Sequence, residues 1–188
     1  ELKAEELGIK IDDRALAGVV DELKELEHQG YHFEVADASL ELLLLRAAGE
    51  TFNYFDVESF RVVVERGRDS TFDTEATLRI IVDNQRILTV GEGDGPVNAL
   101  DKAFRKAVID VYPELDQVRL TDYKVRVLET EKGTGAITRV LIDSADGEIS
   151  WTTIGVSENI IEASWLALRD ALIYALYRHR SVSTNSLD

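Results

Sequence analysis

The sequence predicts an α+β chain: a small N-terminal helical subdomain followed by a strand-strand-strand-helix unit that occurs twice. Three observations predict it. Gln85–Tyr112 (QRILTVGEGDGPVNALDKAFRKAVIDVY) and Glu148–Arg180 (EISWTTIGVSENIIEASWLALRDALIYALYRHR) each run from a strand through glycine and a short loop into a long helix. The two agree at helical spacing, with Ala99, Ala103, Arg105 and Ala107 against Ala163, Ala167, Arg169 and Ala171, which marks an internal duplication. Residues 1–50, by contrast, carry only helical periodicity interrupted by glycines. The expected boundaries are 1–50 for the helical part and 52–180 for the duplicated part, with units at about 57–112 and 120–178 and a tail at 181–188.

The N-terminal elements follow from apolar spacing. A stretch from Glu1 to about Leu7 stops at Gly8, and Asp12-Asp13 offer a cap for a second helix over about Arg14–His28. Leu16, Val19, Val20, Leu23 and Leu26 form its stripe, with Asp21, Glu22, Glu25 and Glu27 largely off it. Gly30 ends this helix. The connector Tyr31-His32-Phe33-Glu34 leads to a third helix over about Ala36–Ala48, apolar at Leu40, Leu43, Leu44 and Ala47. The segment is acidic and reads as a small subdomain or hinge.

In the first repeat, Phe60–Arg66 alternates as a strand and Gly67–Ser70 breaks it. Ala76–Asp83 and Arg86–Val90 flank Asn84-Gln85 and form a hairpin. Gly91–Pro96 is a loop, and Val97–Tyr112 a helix with proline at its entry and Pro113 beyond its end. In the second repeat Leu120–Leu128 is a strand broken by Gly133-Thr134-Gly135, and Ala136–Asp143 aligns on Ala76–Asp83 through shared Ala, Arg and Asp. The turn Ser144–Gly147 follows, then a strand into a helix capped by Ser157 or Asn159. Nearly continuous apolar runs, Leu78, Ile80, Ile81 and Val82 in one copy and Val140, Leu141 and Ile142 in the other, predict burial on both sheet faces. One helix covers only one face of such a sheet, so a homodimer is expected to close what the two copies leave open. The alanine rows would let helices lie close.

Composition excludes several function classes. A net charge of -15, with no cluster of Lys and Arg, argues against nucleic acid or an anionic membrane surface as partner. The chain has no cysteine, which removes disulfides, thiolate nucleophiles and sulfur-ligated metals. No apolar run reaches membrane-spanning length and the first residues do not read as a signal peptide, so a soluble, cytoplasmic chain is expected. It contains no Met, which reads as an excerpt from a longer polypeptide.

Catalytic constellations are scarce. His28 and His32 flank a glycine turn and His179 sits between two arginines, with no spacing typical of a metal site. No nucleophile has a base beside it in sequence, so this segment is not expected to catalyse by itself. The Gly91–Pro96 loop opens a helix, but Glu92 and Asp94 would repel phosphate. A small zwitterion suits it better, its carboxylate on helix N–H groups, its ammonium on an acid or carbonyl, its side chain against apolar walls. A tight turn without ligand is the alternative that the residues leave open.

Four strings carry a family resemblance: Gly91-Glu-Gly-Asp-Gly-Pro-Val-Asn-Ala-Leu100, Leu120-Thr-Asp-Tyr-Lys-Val-Arg-Val127, Arg139-Val-Leu-Ile-Asp143 and Trp151 to Trp165 (WTTIGVSENIIEASW). They resemble the C-terminal regulatory domain of the isopropylmalate and citramalate synthases. Leu26–Glu34 and Ala36–Leu42 look like the linker subdomains of the citramalate branch. The resemblance implies an enzyme that condenses acetyl-CoA with a 2-oxo acid, pyruvate in the citramalate branch, on a metal-dependent TIM barrel that this segment lacks. The divalent metal and acetyl-CoA would belong to that barrel.

For this segment the resemblance implies feedback control by an end-product amino acid bound where two regulatory domains meet. Isoleucine is implied for citramalate synthases and leucine for isopropylmalate synthases. A dimerisation module without ligand is the remaining alternative. The implied effector residues are Gly95, Pro96, Val97, Asn98, Leu120, Tyr123 and Val127, with Ile137, Ser157 and Asn159 in addition. Tyr31 matches a linker tyrosine that can reach a partner subunit's active site.

Overall fold

The computed structural model describes residues 2–128 and 136–185. Its elements are α1 (Leu2–Glu6), α2 (Asp13–His28), α3 (Asp37–Ala47), β1 (Phe55–Arg66), β2 (Phe72–Val82), β3 (Gln85–Gly93), α4 (Pro96–Val108), β4 (Arg119–Val127), β5 (Thr138–Ala145), β6 (Ser150–Ser157) and α5 (Ile160–Asn185). Two antiparallel sheets result, sheet A in the order β1-β2-β3 and sheet B in the order β4-β5-β6. The chain is therefore α+β, with an N-terminal helical part and two βββα units. It divides into two compact units: residues 1–52 with 119–175, and residues 53–118 with 176–188. Among the described residues no helix is long and apolar enough to cross a membrane.

Sheet A carries α4 on one face. Ala76, Leu78, Ile80 and Val82 of β2 are buried there with Ala99, Leu100, Ala103, Phe104 and Val108 of the helix. Pro96 stands in the first turn of α4, where a missing N–H costs nothing. The β2-β3 turn is made by Asp83 and Asn84, both left-handed (φ 48° and 59°), with Val82 paired to Gln85. That is one residue earlier than the expected Asn84-Gln85. Two short polar residues that tolerate positive φ give the tight turn whose twist suits a hairpin.

Sheet B repeats the design between two layers. α5 buries Ala163, Ala167, Leu168, Ala171 and Leu172 along one face, and both tryptophans, Trp151 and Trp165, are buried in this unit. On the opposite face Ile154 joins Val19, Phe33, Ala36, Leu43 and Leu44 of the N-terminal helices in one core, with Leu141 and Val156 packed against it. The apolar run of β5 is thus covered on both sides, as its sequence predicts. α3 also seals the free edge of β6, because Asp37 accepts from the Thr152 N–H at 2.8 Å and Ser39 from the Ile154 N–H at 3.1 Å.

The two copies superpose more tightly in register than the sequence alignment suggested. Leu78 lies opposite Thr89 and Ile142 opposite Thr153, so Leu78 corresponds to Ile142 and not to Thr138. The offset that carries Thr89 onto Thr153 holds for the second and third strands and the helix alike. The alignment of Ala136–Asp143 on Ala76–Asp83 slipped by an even number of residues, which keeps every side chain on its face and so leaves no warning in the pattern. Even an irregularity is repeated: β1 bulges between Val57 and Ser59, β4 between Leu120 and Asp122. The break at Gly133-Thr134-Gly135 lies outside the described residues.

The alanine rows serve the strand rather than a second helix. A Cβ at Gly91 would meet the backbone of Ala99 and Ala103, and one at Gly155 that of Ala163 and Ala167. Thr89 Oγ1 donates to the Ala103 carbonyl and Thr153 Oγ1 to the Ala167 carbonyl, each at 2.8 Å. Each helix is therefore seated on its third strand by one glycine and one threonine.

Gly155→Ala forces the α5 backbone off its strand and should lower stability by about 1–3 kcal/mol, the usual range for overpacking. Gly95→Ala, where an added Cβ meets nothing within 4 Å, should cost only the weaker N-cap preference of alanine, about 0.5 kcal/mol. Urea unfolding midpoints of the two variants check the contrast.

Candidate functional site

The strongest candidate site in the sheet B unit is the strip between β4 and the start of α5. Tyr123 shares a face of sheet B with Ile142, its cross-strand partner, so its ring turns toward α5. Its hydroxyl lies 2.7 Å from Ser164 Oγ. Ser164 Oγ in turn donates to the Ile160 carbonyl at 2.6 Å. A serine hydroxyl has one proton, so Tyr123 must be the donor of the pair, and its own oxygen keeps acceptor capacity. Val125 and Val127, paired to Val140 and Thr138, continue the same face and remain exposed, Val127 at 54%. Leu120 also shows an exposed side chain. The strip is a half-open apolar row with one oriented phenol in it.

The duplication shows that this polar pair is specific to the second copy. Phe60 occupies the first-copy position of Tyr123, opposite Leu78, and Leu100 that of Ser164. Both first-copy residues are apolar, with Leu100 fully buried and Phe60 half-buried. The sheet does not need hydroxyls at these positions to fold. Ser164 was not among the expected site residues, although the helix alignment already set it against Leu100.

The remaining expected residues fall in several places. Ser157 and Asn159 sit at the entry to α5: Ser157 Oγ accepts from the Asn159 N–H, and Asn159 Oδ1 accepts from the Ile161 and Glu162 N–H groups at 2.9 and 3.4 Å. Asn159 is thus the N-cap, one of the two residues the sequence proposed. Ile137 is on the other side of sheet B, where a Cβ built at Gly30 would be 3.7 Å from it, and so does not join Tyr123. Gly95, Pro96, Val97 and Asn98 form the start of α4 in the other unit. Gly95 is its N-cap with no side-chain cap, and Asn98 Oδ1 accepts from the Asp94 N–H at 3.3 Å.

Tyr31 stacks on Phe33 with ring centroids 5.5 Å apart, in the layer over sheet B. Burial raises its pKa above the ordinary 10.0, partly offset by the Val156 backbone. On the open face of β4, Lys124 bridges Asp122 at 2.8 Å and Asp143 at 3.0 Å. The hydrogen bonds that Lys124 donates to these two carboxylates hold its pKa up, and Lys124 in turn lowers that of Asp122. Among the described residues no group of three or more His, Asp or Glu could hold a metal ion. Neither His28 nor His179 stands in such a group, and His32 lies 3.7 Å from the exposed Glu34.

Comparison with known proteins adds two findings. Residues 34–176 match the LeuA allosteric (dimerisation) domain. The chain is 49% identical to the (R)-citramalate synthase of Aquifex aeolicus over 94% of its own length and 34% of that protein's, and 50% identical to that of Streptomyces coelicolor over 95% and 34%. It is 30% identical to the 2-isopropylmalate synthase of Aquifex aeolicus, over 94% of this chain and 32% of the other. The chain spans about a third of the length of the curated relatives it matches.

Two outcomes follow from the geometry. Ser164→Ala leaves the Tyr123 hydroxyl without its acceptor and should cost about 1 kcal/mol, whereas the double variant Tyr123→Phe/Ser164→Ala should cost less than the sum of the single changes. A double-mutant cycle by denaturant unfolding measures the coupling. Ionisation of Tyr31 is disfavoured in the folded chain, so its contribution is intact below pH about 10 and is lost as pH rises through the higher folded value. Tyr31→Phe should flatten the loss of stability seen in alkaline melts.

Proposed function

The chain belongs to the LeuA allosteric (dimerisation) domain family, and on that premise we propose that it is the effector-binding, homodimer-forming part of a citramalate synthase. The whole enzyme would condense pyruvate with acetyl-CoA, and isoleucine, as end product, would bind this part and inhibit it. The comparison within one organism supports the citramalate branch: identity to the Aquifex aeolicus citramalate synthase is 49%, against 30% to its isopropylmalate synthase.

The single observation that carries the effector reading is the Tyr123–Ser164 pair beside an open apolar row. The Ser164 hydroxyl fixes the Tyr123 proton, so the phenolic oxygen faces a ligand as an acceptor, suited to an ammonium group. Leu120, Val125 and Val127 offer the apolar contact that a branched aliphatic side chain requires. An amino acid that prefers one arrangement of paired domains shifts their equilibrium by its differential affinity, typically about 1–3 kcal/mol, and the N-terminal helical segment would pass this difference to the catalytic part.

Calorimetric titration with isoleucine, leucine and valine tests the proposal. Isoleucine should bind and raise the melting temperature more than leucine, and Tyr123→Phe should weaken it about tenfold through loss of the acceptor. Tighter binding of leucine would move the chain to the isopropylmalate branch. No heat and no melting shift with any of the three at millimolar concentration would leave a dimerisation module without ligand.

A further inference from the structure

The internal duplication lets the outward faces of the two sheets be compared position by position, and one square of four residues differs sharply in charge. Just past the bulge of sheet A, Ser59 pairs with Arg79 and Arg61 with Thr77. At the same places in sheet B, Asp122 pairs with Asp143 and Lys124 with Leu141. There the charges satisfy one another, because Lys124 Nζ lies 2.8 Å from Asp122 and 3.0 Å from Asp143. In sheet A both aspartates are gone. A serine and an arginine stand in their places and a second arginine stands for the lysine, so a self-neutralised set has become two like positive charges beside two hydroxyls.

The two arginines are also unlike the others in the chain. Arg46, Arg86, Arg105 and Arg169 each have a carboxylate partner. Among the described residues Arg61 and Arg79 have none, although acidic residues outnumber basic ones 36 to 21. Both are exposed, and with Ser59, Phe60 and Thr77 they line a cleft of about 330 Å³ that no carboxylate borders. Acidic side chains, Glu65 and Glu75 among them, line a separate cleft that has only Arg61 in common with this one. Diagonal cross-strand positions lie about 7–8 Å apart, a gap that two arginine side chains can close on one ligand. Thr77 Oγ1 donates to Glu75 at 3.4 Å, near the limit of a hydrogen bond, so a stronger acceptor can draw its proton.

We infer that this cleft is a binding site for a small phosphate-type oxyanion, held by the guanidinium groups of Arg61 and Arg79 with the hydroxyls of Ser59 and Thr77 completing its shell. A tetrahedral oxyanion presents acceptors in several directions at once, which suits two donor forks and two hydroxyls set around a square. The second copy shows the closed form of the same square, in which aspartates occupy the cation and leave nothing for an anion to bind.

Calorimetric titration with inorganic phosphate, at neutral pH, fixed ionic strength and without amino acids, tests the site. The proteins are wild type, Arg61→Gln, Arg79→Gln and Ser59→Asp/Arg79→Asp, the last restoring the aspartates of the second copy. The three substituted residues are exposed, and circular dichroism melts without phosphate confirm that each variant folds. Wild type should bind phosphate, and each glutamine variant should bind it about tenfold more weakly, the loss of one charge-assisted donor. The double aspartate variant should not bind. Neither heat nor a melting shift in wild type at millimolar phosphate overturns the site, as does binding that both glutamine variants retain in full. A melting shift that chloride reproduces at equal ionic strength marks general screening and overturns it too. Tighter binding of succinate than of phosphate overturns the assignment of a tetrahedral ligand.

Discussion

The Ser39 hydroxyl is the contact on which the architecture of the sheet B unit turns. It donates to Asp170 of α5 at 3.2 Å and accepts from the Ile154 N–H of β6. One buried group thereby ties the N-terminal helices to the third strand and to the long helix at once. Arg46, 3.5 Å from Asp170, completes the set. A hydroxyl buried without partners would be costly, and a strand edge without them would be open to stray pairing. Both problems are solved by the same atom. The helical segment is therefore a structural layer of sheet B, and a shift of α3 must be felt along β6.

The two repeats share a scaffold and differ where a scaffold is free to differ. The Gly–Ala–Thr seat of the helix, the bulge in the first strand and the hairpin order are preserved. At the helix position after the alanine seat, Lys106 in one copy reaches its strand edge directly, whereas Asp170 in the other does so through Ser39. Phe60 and Leu100 give way to Tyr123 and Ser164. These exchanges replace apolar contacts by hydrogen bonds or recruit another layer, which is the pattern of a duplicated unit whose copies took on different tasks.

Much of this was legible in the residues. The element order, the Asp12 and Asn159 caps and the proline entry to α4 follow from side-chain chemistry that acts within one turn of chain, where no tertiary context can override it. What sequence missed depends on partners far along the chain. The register of β5 could slide by two or four residues without moving a side chain to the wrong face, so only the pairing with β6 fixes it. Ile137 looks like a neighbour of Tyr123 in the linear motif, yet alternation puts it on the opposite face, beside Gly30. Ser164 is an unremarkable helix serine until the phenol of Tyr123, on β4, is seen to rest on it. The apolar run of β2 predicted two covered faces, but Arg79 interrupts it, and among the described residues Arg79, Leu88 and Val90 are exposed on the outward face of sheet A.

The burial of both indoles in one unit has a practical consequence. Trp151 and Trp165 lie in the half built on sheet B, and the other half has only tyrosine and phenylalanine as chromophores. Selective excitation of tryptophan therefore gives an intrinsic emission signal from one half alone, whereas far-ultraviolet ellipticity samples both. Comparison of the two signals across a single titration would tell whether the halves melt as one cooperative body or in sequence.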